Sequence, residues 1–421
     1  MPPPVSQPAR LGPRPLNLHL TIAAATLMSS PAALPLLKSG SLSWSPALKD
    51  QANALRQALD GRDAAPIEAE LSAAIRQRWL EFLNGLQAYR QHPYSRAAAF
   101  EAAGLPQPRL AWQEGTTRLL GYTAKRRKSG RPVLAVPSLI NRAYILDLAP
   151  GRSFMRHLAA RGLRPYLVDW DAPGEIERGF DMSDYIAGRL ERALDAVLAE
   201  TGEKPVVIGY CMGGTMTAAL AARRQQDMAG LVLLAAPWDF HADKPAIAEW
   251  LPALLPGLLA SADRLGELPI DSVQALFSGL DIHLAFRKFR SFAALDPTSD
   301  KATAFVALED WLNDGVPLSA PVARDCLEGW YGRNDTATGA WCITGKTVDP
   351  AGIEVPTLAL IPGTDRIVPP ASAHALADAI AQATVLEPPL GHIGMMVGGR
   401  AERGVWSPML DWIAGLPKPT P

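Results

Sequence analysis

The stretch Pro205-Val206-Val207-Ile208-Gly209-Tyr210-Cys211-Met212-Gly213-Gly214-Thr215-Met216-Thr217-Ala218-Ala219-Leu220 decides how the rest of the chain is read. It opens as a short apolar run of strand character and closes on small residues suited to a helix packed tightly against that strand. Between the two lies a G-x-C-x-G turn. A side chain on so sharp a strand-to-helix turn stands clear of both elements, and bulk at the flanking glycines would collide where they crowd together. The side chain that stands clear is a thiol. A thiolate is a strong nucleophile, and it takes up acyl groups as thioesters that stay activated for a second transfer. A cysteine between glycines is equally a good packing solution, because unpaired Cys behaves as a small hydrophobe. The motif alone leaves both readings open.

Two segments downstream decide between them. Thr357-Leu358-Ala359-Leu360-Ile361 reads as a buried strand that runs into Pro362-Gly363-Thr364-Asp365. After the apolar run Ala383-Thr384-Val385-Leu386 comes Pro388-Pro389-Leu390-Gly391-His392-Ile393-Gly394. Taken singly, Asp365 is an ordinary turn residue and His392 an ordinary loop residue. Together they complete the order nucleophile, acid, base at successive strand ends, which is the order of an α/β-hydrolase fold. Cys211, Asp365 and His392 are therefore the candidate catalytic residues. The backbone N–H of Met212, with that of Leu139 or Ile140 after the strand ending at Val136, is the candidate oxyanion hole.

Several further segments resemble the polyhydroxyalkanoate synthase family. Val136-Pro137-Ser138-Leu139-Ile140-Asn141-Arg142-Ala143-Tyr144-Ile145-Leu146-Asp147-Leu148 is similar to that family's P-P-x-I-N-x-x-Y-I-L-D-L segment, with Ser138 in place of the second proline. The Gly209–Thr215 run resembles its G-x-C-x-G-G-T box. Tyr331-Gly332-Arg333-Asn334 is similar to a Y-x-x-N motif, and Gly345–Asp349 with Ile353–Thr357 resembles the family's approach to the acid strand. The likeness covers residues 132–412. It implies an acyltransferase that polymerises (R)-3-hydroxyacyl-coenzyme A, with the thioester as substrate and no separate cofactor. It also implies substrate-binding roles for Asn141, Tyr331 and Asn334. The partners it implies are the surface of a polyester granule and a second copy or second synthase subunit. Where many synthases carry a histidine directly after the acid, this chain has Arg366. The same fold with water admitted would be a thioesterase, an esterase or a polyester depolymerase, and without activity it would be a granule-associated partner protein.

The wider chain reads as a mostly parallel, doubly wound α/β sheet. Residues 133–136, 166–168, 206–208, 231–234 and 358–361 are expected strands, and residues 183–200 an expected helix capped by Ser183. The stretch 240–340 is dense in apolar and aromatic residues without strand–helix alternation, and is expected to be an inserted helical cap. Residues 1–95 are expected to form an N-terminal tail and helical region, with the catalytic domain over residues 96–421. Within that first region residues 1–14 read as disordered, residues 16–37 as an amphipathic helix ending near Pro31, and residues 67–89 as a helix. In the last of these Leu71, Ile75, Trp79, Phe82, Leu86 and Tyr89 share one face.

Composition excludes several classes. The 41 basic and 42 acidic residues of this 421-residue chain nearly cancel, leaving a formal charge of −1 and no basic face for nucleic acid. Three cysteines make no disulfide framework, and a thiol nucleophile is expected in the cytoplasm, where it stays reduced. The seven histidines form no H-E-x-x-H or Cys/His cluster, so no metal site is expected. No membrane span is expected, because His19, Pro31, Pro35 and Lys38 interrupt the N-terminal apolar run.

Overall fold

A computed structural model describes residues 10–124, 129–243 and 246–417. The chain divides into two compact units: Met1–Tyr94 with Asp281–Asn313, and Ser95–Leu280 with Asp314–Pro421.

The larger unit is built on an eight-stranded sheet. In chain order its strands are β1 Arg109–Glu114, β2 Thr117–Gly121, β3 Pro132–Val136, β4 Arg164–Asp169, β5 Val206–Tyr210, β6 Gly230–Leu234, β7 Thr357–Leu360 and β8 Ala383–Leu386. Their order across the sheet is β1-β2-β4-β3-β5-β6-β7-β8. From β4 to β8 every pairing is parallel, while the β1–β2 hairpin joins antiparallel at one edge. The central strands β3, β5, β6 and β7 are buried along their whole length, as runs such as Pro-Val-Leu-Ala-Val and Gly-Leu-Val-Leu-Leu require when both faces are covered. The expected strands are all present to within a residue or two. The hairpin β1–β2 is an addition: its alternation is broken by a bulge between Leu110 and Trp112.

The helix expected at residues 183–200 is present with a different beginning. A wide π-helical segment, Asp184–Leu190, runs into the α-helix Glu191–Thr201. Ser183 is already helical and makes no capping bond; its hydroxyl accepts from the Thr344 N–H at 3.2 Å. The cap is Asp181, whose carboxylate accepts from the Asp184 N–H at 2.9 Å while that of Asp184 accepts from the Asp181 N–H at 3.0 Å.

In the smaller unit, helices Leu16–Ser39, Pro46–Leu59 and Ala64–Gln91 are joined by Leu284–Ala293 and Asp300–Asn313. Residues 281–313, expected to lie within the cap, thus cluster with the N-terminal helices. Phe82 and Tyr89 of the expected stripe meet Phe289 edge to face, with ring centroids 6.5 and 5.6 Å apart. The first helix does not end near Pro31: it continues through Pro31 and Pro35 to Gly40, whose left-handed φ of 73° closes it. It is 24 residues long and contains an 18-residue window of mean hydropathy 1.6, long and apolar enough to cross a membrane, a test that core helices and signal sequences also pass. The expectation of disorder over residues 1–14 fails from Arg10 onward. Residues 1–9 lie outside the described residues, whereas Arg10 is pinned by Asp310 at 2.6 and 2.9 Å.

Candidate active site

Cys211 follows the last residue of β5 and precedes the helix Met212–Arg224. Its backbone sits at φ 57° and ψ −129°, a conformation that residues with a Cβ avoid. Both sides of the peptide hold it there. Its N–H donates to the Leu234 carbonyl of β6 at 2.8 Å, and its own carbonyl accepts from Gly214 at 2.7 Å. The glycines are required by contact distances. A Cβ on Gly209 would stand 2.2 Å from Thr217 Oγ1, one on Gly213 2.1 Å from the Val136 carbonyl oxygen, and one on Gly214 2.4 Å from the Ala236 Cβ.

The close approach at Gly213 brings the start of this helix against the end of β3. Met212, as first helical residue, has an N–H with no intrahelical acceptor. In the facing loop Trp170 Nε1 donates to the Pro137 carbonyl at 3.1 Å. The Ile140 N–H is engaged: it donates to Ser138 Oγ at 3.1 Å, and the Ser138 hydroxyl donates in turn to Met212 Sδ at 3.7 Å. Of the two loop donors expected for the oxyanion hole, Leu139 is the one whose N–H has no acceptor among the described residues. Ser138, where the family pattern has proline, ties this loop down through its side chain.

Asp365 and His392 are both buried, and they meet. His392 Nδ1 donates to Asp365 Oδ2 at 2.7 Å, while Asp365 Oδ1 accepts from the Ile367 and Val368 N–H groups at 2.8 and 2.9 Å. The carboxylate is thereby fixed on both oxygens, and the imidazole is left to present Nε2. Burial alone would lower the His392 pKa. The charge of Cys211 and the hydrogen bond to Asp365 outweigh it and push the value up to about 10. Thiol, imidazole and carboxylate therefore form one interacting set, capable of moving a proton off a nucleophile and holding the resulting cation.

The remaining expected residues divide. Tyr331, on the π-helical segment Asp325–Gly332, lies close enough to Cys211 for that charge, after burial, to raise its pKa. It lines an apolar cavity of about 90 Å³ with Ile140, Phe240, Leu276, Leu318 and Ile367. Asn334 does not line that cavity. It is buried at φ 57°, its Oδ1 accepts from the Phe240 N–H at 3.0 Å, and its Nδ2 donates to Asp239 Oδ1 at 2.8 Å. Asn334 thus fixes the loop after β6. Asn141 pairs through its backbone with Gly315, and its Oδ1 is buried with no hydrogen-bond partner among the described residues. Arg366 is exposed at the cavity rim. Among the described residues no group of three or more His, Cys, Asp or Glu could hold a metal ion. Tyr210 escaped sequence reasoning: its hydroxyl donates to the His392 carbonyl at 3.1 Å and its ring stacks on the imidazole. Its only sequence signal is its place beside Cys211.

This sheet order, with a nucleophile-type elbow after β5 and an acid and a histidine after β7 and β8, defines the α/β-hydrolase fold, and a family model described by that name matches residues 131–399. The chain is 30% identical over 311 residues to the poly(3-hydroxyalkanoate) polymerase subunit PhaC of Haloferax mediterranei, covering 72% of this chain and 63% of that one. Identity to the PhaC subunit of Haloarcula marismortui is 29%, covering 72% of this chain and 66% of that one. Identity to the PhaC subunit of Synechocystis sp. is 30%, covering 67% and 77%. The chain belongs to the poly(3-hydroxyalkanoate) polymerase family. It spans about two thirds of the length of the Haloferax and Haloarcula relatives.

Proposed function

We propose that this protein condenses (R)-3-hydroxyacyl thioesters of coenzyme A into a polyester through an acyl-Cys211 intermediate. The observation that carries the reading is a buried, hydrogen-bonded His392–Asp365 pair coupled to a cysteine on the elbow, where hydrolases of this fold place a serine. His392 takes the thiol proton, and the thiolate adds to the thioester carbonyl. The N–H groups of Met212 and Leu139 receive the oxyanion. Collapse breaks the bond to the coenzyme A sulfur, which leaves with the proton from His392. The 3-hydroxyl of a second monomer then gives its proton to His392 and attacks the acyl-cysteine, forming an ester and freeing Cys211. Exchanging one thioester for another loses little driving force, which a serine ester would not match.

The cavity beside Ile140 and Tyr331 receives the acyl group. At about 90 Å³ it is smaller than the ~150 Å³ of a cavity that admits benzene, and so suits short 3-hydroxyacyl units. The parts of the 240–340 stretch that belong to the larger unit line it together with Ile140, Pro237, Asp239 and residues 366–369, and in this reading they keep water from the acyl-cysteine. The named relatives are polymerase subunits; by extension this chain works in the cytoplasm at a polyester granule surface, as a homodimer or beside a second subunit. Incubation with 3-hydroxybutyryl-coenzyme A tests the activity by scoring free thiol and insoluble polyester together. Thiol release matched by polyester is expected. Thiol release matched by free 3-hydroxybutyrate would make the enzyme a thioesterase.

A further inference from the structure

His392 sits on residues 387–393, a segment with neither strand nor helix. Its bond to Asp365 fixes one ring nitrogen, and a ring held at one atom can still swing about it. Tyr210 supplies what is missing. It is the last residue of β5, almost wholly buried, and its backbone pairs with Leu234 of β6, one residue beyond the last pairing of β5 with β3. Its hydroxyl donates to the His392 carbonyl at 3.1 Å, which anchors the loop. Its ring lies against the imidazole with centroids 5.2 Å apart and planes 28° apart, which sets the tilt of the base. We propose that Tyr210 is a positioning residue that holds the His392 imidazole toward Cys211 through a backbone hydrogen bond and a ring stack.

The same strand end therefore aims the nucleophile and orients its base. A buried hydroxyl that loses its acceptor keeps its desolvation cost, so the hydroxyl bond is not idle. The stack also sets an aromatic face beside a ring that is cationic during transfer. The titratable groups facing the imidazole are Cys211 on the elbow, Asp365 after β7 and Tyr210 itself.

This inference rests on His392 acting on Cys211, though not on the product being a polyester, so its test is independent of substrate. Tyr210→Phe keeps the stack and removes the hydroxyl; Tyr210→Leu removes both. The rate at which iodoacetamide alkylates Cys211 at neutral pH is read by peptide mass spectrometry, with exposed Cys342 in the same protein as reference. The Phe variant is expected to slow Cys211 about fivefold and the Leu variant about fiftyfold, with Cys342 unchanged. On thioester substrate, kcat falls in the same proportion and KM holds. Should the Leu variant fail to fold, the Phe variant decides alone. Alkylation of Cys211 in the Phe variant at the wild-type rate would overturn the proposal, as would equal slowing at Cys342.

Discussion

At the elbow, Cys211 is fixed by atoms that are near in sequence or directly across the sheet: Gly214, Thr217, Leu234 and the end of β3. The stretch 240–340 is held in another way. Asn334 reaches back to Asp239 and Phe240, Thr336 bonds the Trp238 carbonyl, Ser319 donates to the Phe180 carbonyl at 2.7 Å, and Asp325 accepts from the Met182 N–H at 3.0 Å. One region is determined by local sterics and the other by contacts between distant segments. The chemistry proposed here needs both, since the elbow supplies the nucleophile and the distant contacts supply the wall around the acyl group.

The comparison can be broken most sharply at its reactive end. Asp365→Asn keeps a hydrogen bond to His392 and removes the charge that supports the imidazolium, and a triad acid replaced in this way lowers turnover about ten-thousandfold. Steady-state thiol release measures it; a loss under tenfold would take the acid role away from Asp365. Gly213→Ala comes next, because a Cβ 2.1 Å from a backbone oxygen cannot be absorbed by a flexible side chain. Thermal and denaturant unfolding should show a loss of about 3 kcal/mol. An alanine variant as stable as the parent would mean that the elbow is not as tightly packed as described.

The contrast explains what could be read from the chain. β3 to β7 are legible because full burial on both faces demands uninterrupted apolar runs. The elbow is legible because only glycine fits its contacts. The β1–β2 hairpin is hidden by the bulge at Leu110–Trp112, which breaks the two-residue period on which strand recognition depends. The division of 240–340 between two units is illegible for a different reason: amphipathic helices such as Leu284–Ala293 show that they have an apolar face without showing what covers it. The first helix outran its expected end because a left-handed glycine, not an internal proline, closes it. At the site, Cys211, Asp365 and His392 are legible from order and strand ends. The contacts of Tyr210 and Asn334 are not, because their partners lie in segments distant in sequence.

Asn334 sharpens the second half of the comparison. Asn334→Ala leaves the buried Phe240 N–H without its acceptor and removes one of the donors to Asp239 Oδ1, the His241 N–H remaining, a loss of about 2 kcal/mol in unfolding free energy. If Asn334 contacts substrate directly, KM will instead rise with stability unchanged. A smaller effect comes from pH. The folded value of His392 lies above the ordinary 6.5, so its contribution to stability is complete below pH 6.5 and fades as pH climbs through about 10. The melting temperature should fall gently across that window, and Asp365→Asn should flatten the fall. Least of all, Arg366→His should leave stability unchanged and activity within about twofold, since an exposed rim side chain contributes little to either.

The central claim is that Cys211 carries the acyl group. The most direct measurement mixes the protein with an equimolar amount of 3-hydroxybutyryl-coenzyme A, quenches in acid and maps the adduct by peptide mass spectrometry. The account predicts a 3-hydroxybutyryl group on the peptide containing Cys211, which a second addition of substrate chases into insoluble polyester. Coenzyme A release with that peptide unmodified, or polyester formed by Cys211→Ala, would contradict it.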